Sequence, residues 1–163
     1  MKVGNHGEFE QFWQQTQGKV RAYMLCACPN RSDADDLTQD CYVRALRHWD
    51  RYNGDGSRIA WLFAIARNTR VDWFRRQCRE TRLCRQSSGG GIEEMRLESK
   101  RDDAEVIWRA VETLEREYQE VIHLRFAADL SYVEIAEMLR IPVGTVRSRL
   151  HRGLKAVRKQ VKE

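Results

Sequence analysis

Only two prolines, Pro29 and Pro142, interrupt the 163 residues. Proline breaks helix interiors by removing an N–H and clashing with the preceding turn, so its scarcity leaves long stretches free to be helical. The five cysteines, Cys26, Cys28, Cys41, Cys78 and Cys84, are odd in number and contain no CxxC pair. That argues against a disulfide framework or a thiolate metal site. On one helix Cys26 and Cys28 project about 200° apart, so they cannot easily share an ion. No apolar run approaches the roughly 20 residues that span a bilayer, and the N-terminus lacks the apolar core of a secretory signal. These absences point to free thiols in a reducing cytoplasm, without membrane insertion. No nucleophile–base pair, phosphate loop or metal-ligand spacing appears, so no enzymatic, cofactor or metal site is expected. The Asp33–Asp36 cluster reads as helix N-terminal charge favoured by the dipole.

What the chain does have is uneven charge. Its net charge is only +5, yet seven arginines lie between Arg67 and Arg85 against Asp72 and Glu80, and seven basic residues lie from Arg147 onward against Glu163 alone. Between them, Glu93 to Glu120 is acidic, with ten carboxylates against five bases. Two separated basic blocks suit an extended polyanion such as DNA, although solvated helix faces account for the charge equally well.

Hydrophobic periodicity gives an all-α chain of two small domains. After a tail at residues 1–7, Phe9, Phe12, Trp13, Thr16, Val20, Tyr23, Met24 and Ala27 repeat at spacings of three and four, the stripe of one buried helix face. Ser32-Asp33 is expected to cap a second helix reaching Trp49, with Leu37, Cys41, Ala45 and Trp49 on one face. A second, mixed face carries Asp36, Gln39, Asp40, Val43, Leu46 and Arg47, which suits a partner surface or, for Val43 and Leu46, a bundle core. Asn53-Gly54-Asp55-Gly56-Ser57 is a loop. A third helix is expected over Arg58–Arg76, burying Ile59, Leu62, Phe63, Ile65, Ala66, Trp73 and Phe74. Trp61, Asn68 and Arg75 fall seven apart on its other side, flanked by Arg67 and Val71. A tryptophan in line with an amide and an arginine fits base stacking and phosphate contact; burial of that tryptophan between elements is the competing reading. Residues 80–103, with Ser87-Ser88-Gly89-Gly90-Gly91, read as a linker, dividing the chain into 8–79 and 104–163.

The second domain begins with Val106, Ile107, Ala110, Val111 and Leu114 on one face, followed by a helix over Glu115–Ala127 with Tyr118, Val121, Ile122 and Phe126. Ser131-Tyr132-Val133-Glu134 matches a capping box, opening a helix that buries Ile135, Ala136 and Leu139. A turn at Arg140–Val143 leads into a last helix over Gly144–Val161. This is helix–turn–helix spacing. On the last helix Val146, Leu150, Leu154 and Val157 share the buried side, while Arg147, Ser148, His151, Arg152, Lys155, Arg158 and Lys159 form a donor array opposite, the layout of a helix in a major groove. Arginine is the usual bidentate reader of guanine, so Arg147 is the first choice for base contact, then Ser148 and His151. Arg149, Arg152 and Lys155 are assigned to phosphate.

The stretch LSYVEIAEMLRIPVGTVRSRLHR (Leu130–Arg152) resembles region 4.2 of extracytoplasmic-function (ECF) sigma factors of the sigma-70 family, and AVETLEREYQEVIHLRF (Ala110–Phe126) resembles region 4.1. DADDLTQDCYVRALRHW (Asp33–Trp49) is similar to region 2.2, and WLFAIARNTRVDWFRR (Trp61–Arg76) to regions 2.3–2.4. The resemblance implies a transcription-initiation factor that carries core RNA polymerase to promoters and is controlled by an anti-sigma factor. It implies that core polymerase is met at its β′ clamp and β flap, with Asp36, Gln39, Asp40, Val43, Leu46 and Arg47 as the polymerase-binding residues. It further implies that the loop with Tyr52, Asn53, Asp55 and Ser57 holds a flipped −10 base, beside Trp61, Arg67, Asn68, Arg75 and Arg76, and that the last helix reads the −35 duplex. A helix–turn–helix regulator acting without polymerase is the alternative; it needs only the second domain and leaves the loop and the Trp61–Arg75 line unexplained. Two positions depart from the family pattern. Glu115 stands in place of the usual proline, and Arg140 in place of a glycine, where left-handed geometry would be strained.

Overall fold

The structure, a computed structural model, describes residues 4–26, 28, 30–52, 56–87 and 103–162. The described residues form helices joined by short turns, without a strand among them. Helix α1 (Gly4–Leu25) packs on α2 (Arg31–His48), which continues through a single 3-10 turn, Trp49–Arg51. Val20, Tyr23 and Met24 are buried, whereas Trp13, expected in the stripe, is 39% exposed, its ring set edge-to-face with Tyr42 at 6.5 Å. Ala27 lies outside the described residues.

The cap of α2 is Asn30, not Ser32-Asp33: the Asn30 side chain accepts from the Asp33 N–H at 2.8 Å. Asp33 thereby becomes the third helical residue, where its carboxylate takes a hydrogen bond from Asn30 Nδ2 and faces the positive end of the helix dipole. Leu37, Cys41, Ala45 and Trp49 are buried as their shared face requires. Phe9 and Phe12 close over Trp49 with ring centroids at 5.1 and 5.3 Å.

Helix α3 spans Arg58–Ser87, continuing well past Arg76, because no Gly or Pro stops it before the Ser-Gly run. Leu62, Phe63 and Ala66 are fully or nearly buried against α1 and α2, with Phe63 edge-on to Tyr23 at 5.6 Å. Phe74 is the exception: it is 50% exposed, beyond the reach of the bundle, with the Arg116 guanidinium 5.9 Å over its ring.

The second domain comprises α4 (Asp103–Glu112), α5 (Arg116–Ile122), a π turn at His123–Ala127, α6 (Tyr132–Leu139) and α7 (Val143–Lys162). Val111, Val121, Ile122, Leu124, Leu130, Ile135, Val146 and Leu150 make its core; each such side chain stabilises the fold by about 1.5–3 kcal/mol. Three expected core positions are exposed instead: Val106, Ile107 and Phe126. Trp108, not they, faces inward on α4, its ring 5.7 Å from His123. On α7, Leu154 is 40% exposed and Gly153 is buried in its place, because α7 crosses α5 so closely that a Cβ there would stand 2.9 Å from Ile122 Cδ1.

Candidate nucleic-acid interface

The helix–turn–helix is built from local hydrogen bonds. Ser131 Oγ accepts from the Glu134 N–H at 3.2 Å, and Glu134 returns a carboxylate to the Ser131 N–H at 2.7 Å. That closes the capping box at the start of α6. At its other end Ile141 N–H donates to Ala136 and Arg140 N–H to Glu137, a Schellman pair that requires a left-handed residue. Arg140 fills that position at φ 55, ψ 46, so the departure from glycine does incur backbone strain. Pro142 then accepts from Thr145 and Val146 to start α7.

With Val146 and Leu150 buried beneath α7, Arg147, Ser148, His151, Arg152 and Lys155 are exposed along its outer side. Ser148 Oγ donates to its own turn at Thr145 O, 3.0 Å away, leaving its lone pairs outward. Arg149 differs: its Nη2 lies 2.6 Å from Glu117 Oε2 and its side chain is 28% exposed, so it ties α7 to α5.

In the first domain the loop closes onto α3 through aromatic rings. Trp61 is half-buried, 6.0 Å from Trp49 and 5.4 Å from Tyr52; it is partly a core side chain and partly an open ring face. Tyr52 Oη donates to Gly56 O at 2.6 Å, and Gly56 takes φ +85, a conformation that side-chain-bearing residues rarely adopt. Ser57 precedes α3 and its Oγ accepts from the Ala60 N–H at 3.5 Å. Asn53 and Asp55 lie outside the described residues. Arg58, the last residue of the loop expected to hold the base, has an unforeseen part: its guanidinium sits 5.3 Å over Trp49 and 5.8 Å over Tyr52, in cation–π contact with both rings. Its place at the loop's end was the available signal.

Along α3, Asn68, Arg75 and Arg76 are exposed. Arg75 and Arg76 line a small basic cavity with Arg44, Arg79 and Asp72. Only tertiary packing brings Arg44 from α2 here, through its 2.9 Å ion pair with Asp72. Arg67 does not stand free but points to Glu120 of the second domain, 3.7 Å away.

The mixed face of α2 is solvent-facing throughout: Asp36, Gln39, Asp40, Val43, Leu46 and Arg47 are all exposed. Val43 and Leu46, at 48% and 44% exposure, are therefore not bundle core. Asp33, Asp36, Asp40 and Glu80 line a cavity with Leu37, Trp73, Gln77 and a single base, Arg76, so its lining is net acidic. Burial raises the Cys26 and Cys28 thiols to about 11 and Cys41 to about 12, so these three are protonated and unreactive at neutral pH.

Comparison with known proteins places the chain in a family. Residues 12–80 match sigma-70 region 2 and residues 104–157 match sigma-70, region 4. The ECF RNA polymerase sigma factor SigW of Bacillus subtilis (strain 168) is 31% identical over 161 residues, covering 89% of this chain and 85% of that protein. The ECF RNA polymerase sigma-E factor of Escherichia coli (strain K12) is 29% identical over 173 residues, covering 99% and 90%. Among solved structures, the sigma factor RpoE from Bartonella quintana, in complex with the anti-sigma factor NepR, has a TM-score of 0.73 and 25% identity over 95% of this chain and 97% of that one. CnrH, in complex with the cytosolic domain of CnrY, shares the fold at a TM-score of 0.70 and 22% identity, covering 98% and 90%.

Proposed function

The chain belongs to the ECF RNA polymerase sigma factors of the sigma-70 family, and on that premise we propose which of its surfaces does what. It is an alternative transcription-initiation factor that directs core RNA polymerase to specific promoters; the role is regulatory. The domains at 8–79 and 104–163, joined by 80–103, divide the work. The α2 face of Asp36, Gln39, Asp40, Val43, Leu46 and Arg47 binds the β′ clamp, its carboxylates meeting basic groups and its two exposed aliphatics supplying apolar area. The β flap is the second domain's contact.

The loop from Tyr52 to Ser57, with Trp61, takes the flipped −10 base. Flipping costs a few kcal/mol of unstacking, and the open face of Trp61 returns part of it by stacking. Asn68, Arg75 and Arg76, with Arg67 once released from Glu120, follow the strand beside it. On α7, Arg147, Ser148 and His151 read the −35 bases, while Arg152 and Lys155 hold phosphates. Arg149, assigned to phosphate by its place in the basic row, acts from its pairing with Glu117 as a brace. Likeness to RpoE, which was solved with an anti-sigma factor, supports control of this chain by a partner of that kind.

The observation that carries this reading is the pairing, in one chain, of the exposed α2 face with an exposed recognition row on α7. In vitro transcription with core polymerase and a promoter library tests it. Promoter-specific transcripts are expected; duplex binding without polymerase association would overturn the assignment of the α2 face.

A further inference from the structure

Arg58 opens α3, a place where the fold gives no reason for a cation. The first turn of a helix carries partial positive charge, so an arginine there stands against the dipole. What holds the guanidinium is aromatic: it lies 5.3 Å over the Trp49 ring and 5.8 Å over the Tyr52 ring. Both rings are themselves fixed. Trp49 is buried against Phe9, Phe12 and Trp61, with centroids at 5.1, 5.3 and 6.0 Å. Tyr52 donates its hydroxyl to Gly56 O at 2.6 Å and packs on Trp61 at 5.4 Å.

Ring contacts leave the N–H groups of a guanidinium unused. Among the described residues its one charged partner is Glu8, whose Oε2 stands 3.9 Å from Nη2, beyond hydrogen-bond reach. The Arg58 side chain is 50% exposed, so those donors face solvent. Arg58 and Trp61 are three residues apart and therefore neighbours on one side of the first turn of α3. A held guanidinium with free donors thus stands beside the open ring face of Trp61.

Resting on the sigma-factor reading of this loop, we propose that Arg58 selects the flipped −10 base, restricting it to guanine or cytosine. A guanidinium offers N–H groups in a fixed fork and no acceptor, so it fits an edge with two adjacent acceptors. Guanine has them at O6 and N7, and unpaired cytosine has them at N3 and O2. Adenine sets an amino donor beside N7 and beside N1, and thymine places an N–H between its two carbonyls. Neither can take both bonds of the fork. Phosphate is the other acceptor that arginine favours, but the Glu8 carboxylate beside the guanidinium repels an anion and leaves a neutral base unopposed.

The test uses holoenzyme assembled from the full chain and core RNA polymerase, offered promoter DNA randomised along the non-template −10 strand. Bound DNA is sequenced, and 2-aminopurine fluorescence, scanned along the strand, marks the flipped position. Wild type should prefer guanine or cytosine there by about 10-fold, the low end for a bidentate pair. Arg58→Ala should flatten the preference at that position and leave the others intact. Arg58→Lys should flatten it too, because lysine keeps the charge but not the fork. A wild-type preference for adenine or thymine overturns the assignment, as does an unchanged preference in Arg58→Ala. So does an equal loss on every sequence, which would make Arg58 a phosphate contact or a structural side chain. If wild-type holoenzyme flips no base and selects no sequence, the sigma-factor reading of the loop falls as well. Should Arg58→Ala lose helix content by circular dichroism, Arg58→Lys carries the test, and a preference it retains overturns the proposal.

Discussion

Arg149 and Glu117 form a 2.6 Å ion pair between α7 and α5, so neighbouring arginines of one basic row, Arg147 and Arg149, do different work. Arg147 is exposed and unengaged in that pair. Arg147→Ala is expected to lose about 1–3 kcal/mol of discrimination at one −35 base pair. Arg149→Ala should instead cost about 0.5–1 kcal/mol of stability, typical of a partly exposed pair, with base preference unchanged. Binding of holoenzyme to a set of single-base −35 variants separates the two; a uniform loss for Arg147→Ala would move that residue to phosphate contact.

Acid should weaken the fold through His123. Its ring is 6% exposed and its Nδ1 has no hydrogen-bond partner among the described residues. Burial first, and the Arg70 charge second, lower its pKa from 6.5 to about 4, against an opposing pull from Glu120. The folded chain therefore keeps a neutral imidazole where the unfolded chain takes up a proton. Stability from this group is complete above about pH 6.5 and is lost as pH falls toward about 4, by on the order of 2–3 kcal/mol. Urea unfolding at about pH 7.5 and about pH 5 measures it. His123→Gln should flatten the difference, and an undiminished difference in that variant would assign it to other groups.

Arg140 holds a left-handed backbone at φ 55, which costs an L-residue with a Cβ roughly 1–2 kcal/mol. Arg140→Gly relieves that cost but frees the unfolded chain, so a net gain of about 0.5–1 kcal/mol is expected. The measurement is the urea midpoint, which should rise at constant slope.

Gly153 is buried where α7 crosses α5, and a Cβ there would also stand 3.2 Å from Tyr118 Cβ. Gly153→Val should destabilise the second domain by about 1–3 kcal/mol through overpacking, despite valine's better helix propensity. Thermal unfolding followed by circular dichroism reads the loss; an unchanged midpoint would mean that α7 can shift outward freely.

Only the structure showed Val43 and Leu46 exposed beside the buried face of α2, whereas sequence periodicity determined the all-helical class, that buried face, the capping box at Ser131–Glu134 and the polar row of α7. These are local properties, written into spacings of three and four and into the few side chains able to cap a helix end. What depended on the crossing of distant elements was decided only in three dimensions. Phe74 and Phe126 are half exposed where periodicity put them in the core, and Gly153 is buried in place of Leu154 because α5 sits so near. Arg149 and Arg67 look alike in the sequence, two arginines in two basic blocks. Each is held by an acidic residue of α5, and no spacing along the chain could say which arginines would meet a carboxylate and which would remain open to DNA.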